Sequence, residues 1–64
     1  MNVADWLRTL GLEQYEALFR QNDIDAEVLP TLGADDLREL TSLGHRKKLL
    51  AAITVIRRAI FDAD

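Results

Sequence analysis

"ELTSLGHRKKLL", Glu39 to Leu50, decides how this chain folds. Leu40 closes one run of apolar residues at helical spacing, and Leu49-Leu50 belongs to another. Thr41-Ser42 is a short break between them. Ser42 is suited to cap the next helix, because a serine oxygen accepts an otherwise unpaired N–H of the first turn. Downstream, Leu49, Ile53, Ile56 and Ile60 fall on one stripe, widened by Leu50 and Phe61. A long last helix is therefore expected, reaching to about Phe61. With Leu49 and Ile53 inward, Lys47 and Lys48 point well away from the stripe and Arg46 lies near its margin.

The same spacing runs upstream. Val3, Trp6, Leu7 and Leu10 follow i, i+3, i+4, i+7 and predict a first helix, capped by Asn2 and ended by Gly11. Leu12, Tyr15, Leu18 and Phe19 make a second stripe over about Glu13 to Gln21, closed by the turn signal Asn22-Asp23. Ile24 is expected to plug the core. Asp25 is placed to cap a very short helix, Ala26 to Leu29, which Pro30 terminates because the residue before a proline is disfavoured in the helical region. Leu32 should point inward. Gly33-Ala34 opens a fourth helix with Leu37 and Leu40 on its core face. Asp35 and Asp36 fall in its first turn, where the positive end of the helix dipole favours acids. No strand alternation and no repeat occurs, so the expectation is an all-α bundle of five helices, a single domain over residues 1–64.

The chain has 64 residues, is 48% hydrophobic, lacks cysteine and carries a net charge of −3. No disulfide or thiol chemistry is available. No run approaches the roughly 18 apolar residues that span a membrane. The start Met1-Asn2-Val3 has no signal pattern, which favours the cytoplasm. Negative charge argues against generic nucleic-acid binding. The net value conceals a split. Residues Asp23 to Glu39 hold six acids and one base, and Gly44 to Arg58 hold five bases and no acid. A surface so divided can pair with a copy of itself.

Catalytic constellations are absent. Ser42 and His45 lie three apart, near one another on a helix, but no acid stands where it would complete a triad. One histidine without cysteine offers no metal set, and Gly44 alone makes no phosphate loop. Asp35-Asp36 point about 100° apart on a helix and read as dipole partners. Trp6, Tyr15 and Phe19 sit among aliphatics and read as core. The expectation is a non-enzyme with no cofactor and no metal.

The order of these features resembles the SAM domain (sterile alpha motif) over about Val3 to Ile60. The segments that carry the resemblance are "VADWLRTLGLEQYEALFRQNDID", "VLPTLGADDLREL" and "LGHRKKLLAAI". The wording is similar to bacterial SAM domains at the N-terminus of multidomain signalling proteins such as class III nucleotide cyclases. If so, enzymatic chemistry would lie in the parent protein and not here. The resemblance implies a five-helix interaction module that associates head to tail. A basic end-helix surface would comprise Leu43, Gly44, His45, Arg46, Lys47 and Lys48. An acidic mid-loop surface would comprise Asp23, Asp25, Glu27, Asp35, Asp36 and Glu39. The partner would be another SAM domain or a second copy, in a ring or an open helix. RNA held by the same basic patch is the alternative partner, and a membrane surface a third.

Two departures from the family pattern matter. Gly33 stands where a capping Thr or Ser is usual. Leu40 also runs directly into Thr41-Ser42-Leu43-Gly44, where the family has a further Leu-Gly-Ile-like step, so two residues are missing. Helix four must end early, or Leu43 must turn inward, or helices four and five must fuse. Fusion would split the bundle and invite domain swapping.

Overall fold

The computed structural model describes residues 1–61. It is helical throughout, with no strand among the described residues. The elements are α1 (Val3–Thr9), a 3-10 turn (Glu13–Tyr15), α2 (Glu16–Gln21), a second 3-10 turn (Leu29–Thr31), α3 (Ala34–Arg38) and α4 (Leu43–Phe61). The expected all-α architecture with a long last helix is thus present.

Asn2 caps α1 as the sequence predicts, its Oδ1 accepting the Asp5 N–H at 3.1 Å. The end of α1 is closed by two crossed bonds, Gly11 N–H to the Arg8 carbonyl at 3.0 Å and Leu12 N–H to the Leu7 carbonyl at 2.9 Å. Gly11 takes φ +72°, the left-handed conformation such a closure needs. The end of α2 repeats the device, with Asp23 N–H on the Arg20 carbonyl at 3.1 Å and Ile24 N–H on the Phe19 carbonyl at 2.9 Å. Here the left-handed residue is Asp23, at φ +56°. Each closure turns the next residue, Leu12 or Ile24, into the core beside the leucine or phenylalanine that accepts its N–H. A Cβ crowds the backbone at positive φ and glycine avoids this. Asp23→Gly should therefore raise the free energy of unfolding by about 0.5–1 kcal/mol. Urea denaturation checks this; an unchanged or lower midpoint would contradict it.

The short helix expected at Ala26 to Leu29 is instead a turn followed by the 3-10 segment. Asp25 does act as its cap: Oδ1 accepts the N–H groups of Glu27 and Val28, both at 3.0 Å. Pro30 does not terminate it. Pro30 sits inside the 3-10 turn and is buried. A proline in a first turn forfeits no bond, because that N–H would have no partner there.

Helix α3 starts at Gly33, whose N–H donates to Asp36 Oδ2 at 2.9 Å. It stops at Arg38, and the Leu37 carbonyl gathers three donors there: Leu40 N–H at 3.1 Å, Thr41 N–H at 2.9 Å and the Thr41 hydroxyl at 3.0 Å. The shortened connection is thus absorbed by ending the helix early. Leu43 remains 57% exposed, so it does not turn inward. Residues 39–42 separate α3 from α4, so the two helices are not fused and the bundle is closed.

The core is Leu7, Leu12, Phe19, Ile24, Leu29, Leu32, Leu37, Leu49 and Ile53. Trp6 and Tyr15, expected inside, are only half-buried at its margin. Ile60 and Phe61, expected on the core stripe, are 52% and 72% exposed. The reason is length: 19 residues of α4 make roughly 28 Å of helix at 1.5 Å each. The short dimensions of the molecule are 21 and 20 Å, so the last turn overhangs the bundle.

Arg57 ties α4 to the middle of the chain. Its Nε donates to the Pro30 carbonyl at 2.6 Å and its Nη2 to the Leu32 carbonyl at 2.9 Å. Arg57→Ala should destabilise by about 1.5–3 kcal/mol, the range for hydrogen bonds to a charged group. Arg57→Lys should recover only part of this, since an ammonium cannot span both carbonyls with the planar fork of a guanidinium. Thermal melts of the two variants compare the losses; equal stability of all three chains would exclude the clamp.

Candidate functional site

The basic patch spans the first two turns of α4. The Ser42 carbonyl accepts the Arg46 N–H at 2.8 Å, placing Ser42 at the cap position the sequence indicates. Leu43, Gly44, Lys47 and Lys48 are exposed, and Arg46 is half-buried. A Cβ on Gly44 would meet nothing within 4 Å, so no intramolecular contact requires glycine there. Arg46, Lys47 and Lys48 form no ion pair among the described residues. Their charge faces outward uncompensated.

His45 differs from its neighbours. Expected as an exposed charge, it is half-buried. Its Nδ1 lies 2.5 Å from the Tyr15 hydroxyl, and the two rings meet edge to face with centroids 5.4 Å apart. Thirty residues separate the partners, so no local spacing signalled the pair. Arg57 likewise leaves the sequence's basic block, because its guanidinium is held by backbone carbonyls.

The acidic residues divide. Asp35, Asp36 and Glu39 line one open depression of about 420 Å³ together with Asn22, Ile24, Val28, Leu32 and Leu40. Its lining mixes apolar residues, of which Ile24 and Leu32 are buried, with the three exposed acids. Asp23, Asp25 and Glu27 are exposed but do not line it. Asp25 and Asp36 each have an oxygen engaged by backbone N–H groups, and Asp35 pairs with Arg38 at 3.6 Å. Glu39, Glu27 and Asp23 have no side-chain partner among the described residues. The depression and the first two turns of α4 share no residue. Among the described residues no group of acids, histidine or cysteine could hold a metal ion, and no helix is long and apolar enough to cross a membrane.

The sequence model of the family described as "SAM domain (Sterile alpha motif)" matches residues 1–57. The chain belongs to the SAM domain family, a family of non-catalytic protein-interaction modules. It is similar to the "Mitogen-activated protein kinase adapter protein MST50" of Pyricularia oryzae, 40% identical over 58 residues, covering 88% of this chain and 12% of that protein. It is also similar to "SH3 and multiple ankyrin repeat domains protein 2" of Rattus norvegicus, 41% identical over 54 residues, covering 81% of this chain and 4% of that protein. "Protein bicaudal C" of Drosophila melanogaster is 51% identical over 54 residues, covering 81% of this chain and 6% of that protein. The chain thus spans about a tenth or less of these relatives. All three are eukaryotic and lend no support to the resemblance to bacterial cyclases. No solved structure matches the chain significantly.

Proposed function

We propose that this chain is a head-to-tail interaction module that self-associates or binds another SAM domain, serving in the cytoplasm to cluster or localise a signalling protein. The observation that carries this is the presence of two unlike, non-overlapping patches on one chain. One spans the first two turns of α4, with exposed Leu43 flanked by unpaired Arg46, Lys47 and Lys48. The other is the depression between α2, the middle of the chain and α3, where Asp35, Asp36 and Glu39 lie beside Ile24, Val28, Leu32 and Leu40. An exposed leucine beside unpaired bases suits apolar residues beside exposed acids. Such a contact uses a different face on each copy, so it generates chains or rings and not a symmetric dimer.

An exposed ionic junction weakens as salt screens it, since the Debye length falls from about 10 Å at 0.1 M to about 3 Å at 1 M. Sedimentation velocity of the 64-residue chain should show species larger than monomer at low salt, shrinking toward monomer at high salt. A monomer at millimolar concentration and low salt would refute self-association. The second reading, RNA held by the three unpaired bases, is checked on the same protein by filter binding to a hairpin RNA at low salt.

A further inference from the structure

His45 has a ring nitrogen that the fold does not use. Nδ1 is engaged by the Tyr15 hydroxyl at 2.5 Å. Nε2 has no hydrogen-bond partner among the described residues, yet no buried side-chain polar atom there is left unpartnered, so Nε2 reaches solvent. It does so between Gly44 and Arg46, in the patch assigned above to partner contact. The groups set against the ring are few. From the 3-10 turn Glu13–Tyr15 there is the Tyr15 hydroxyl, with Glu13 exposed at the start of that turn, and Arg46, Lys47 and Lys48 follow His45 along its own helix. No carboxylate of the described residues pairs with it.

A phenol both donates and accepts a hydrogen bond. The Tyr15–His45 contact therefore persists whether Nδ1 carries a proton or not, and the ring can gain charge without losing its anchor. We infer that His45 makes self-association stronger in mild acid, its protonated ring donating from Nε2 to a carboxylate on the acidic surface of a second copy. This rests on the head-to-tail reading. In the free chain no carboxylate of the described residues pairs with the ring, whereas a docked copy brings acids to it. Docking thus favours the charged ring, and association takes up a proton. By linkage it tightens as pH falls. Imidazole is the side chain that ordinarily changes charge between about pH 5 and 8, and this chain has one histidine.

The test is sedimentation of the 64-residue chain at pH 7.8 and 5.8 and constant ionic strength, beside His45→Gln and Glu39→Gln. His45→Gln keeps a polar side chain opposite Tyr15 but cannot take a proton; circular dichroism checks its fold. Wild type should associate about fivefold more tightly at pH 5.8, the difference between a charge-assisted and a neutral hydrogen bond. His45→Gln should show no such gain. Glu39→Gln, which leaves the ring and its anchor untouched, should show a reduced gain. Wild-type association equal at both pH values, or a gain undiminished in His45→Gln, would overturn the inference and leave head-to-tail binding standing. No association at either pH would overturn both.

Discussion

Lys47→Glu and Glu39→Lys should each reduce self-association about tenfold, and an equimolar mixture of the two should regain it. Both side chains are exposed and neither has a partner within the described residues. Reversing either leaves the bundle untouched and alters only what a second copy meets. An exposed ion pair contributes about 0.2–1 kcal/mol. Reversal removes that attraction and sets like charges together, so a change near 1.4 kcal/mol, or tenfold, is expected. The rescue is the sharper part. The Lys47→Glu chain keeps an intact acidic depression and the Glu39→Lys chain keeps an intact basic patch. Together they restore one native junction that neither forms alone. Sedimentation velocity of each chain and of the mixture reads this directly. If the mixture behaves as the sum of its components, the two patches do not meet.

Phe19→Ala should leave the chain largely unfolded at room temperature. Phe19 is 1% exposed on α2, in the core with Leu12, Ile24 and Leu49, and its carbonyl accepts the Ile24 N–H that closes the helix. Truncating a buried phenylalanine costs about 3–5 kcal/mol. A chain of 64 residues has a total stability of about 3–10 kcal/mol at 0.05–0.15 per residue. The loss is comparable with the whole. Phe61→Ala, by contrast, should change stability by less than about 0.5 kcal/mol, because Phe61 is 72% exposed on the overhanging turn. Circular dichroism at 222 nm with a urea titration separates the two. A cooperative, near-native transition for Phe19→Ala would show that the core collapses around the gap.

The contrast between these phenylalanines shows how far the sequence could be read. Both sit at helical spacing beside aliphatic residues. The stripes alone do not separate Phe19, which has the rest of the chain folded over it, from Phe61, which only its place near the end of the last helix sets apart in the sequence. Trp6 and Tyr15 are intermediate for the same reason: their stripes are real, but they fall at the edge of the packed region. Leu29 and Pro30 were hidden differently. The three-residue element they occupy has no periodicity, and only the closing of Arg57 onto the Pro30 and Leu32 carbonyls makes their burial intelligible.

Some features were determined by residues a few positions apart. The cap at Asn2, the left-handed Gly11, the Asp25 turn and the long α4 stripe all rest on bonds or spacings within six residues, which the chain carries wherever it goes. The division into an acidic middle and a basic last helix is of the same kind. Tertiary structure decided the rest. It brought Tyr15 to His45 across 30 positions, withdrew Arg57 from the surface, and selected Asp35, Asp36 and Glu39 from six acids to line one depression. It also settled the break at Glu39 to Ser42. A connection as brief as Thr41-Ser42 could have run through as one helix, and local propensity does not forbid that. The closed bundle instead ends α3 on the Leu37 carbonyl, because turning there lets Leu49 and Ile53 pack against Leu7, Phe19 and Leu37, burial that no uninterrupted rod could achieve within one chain.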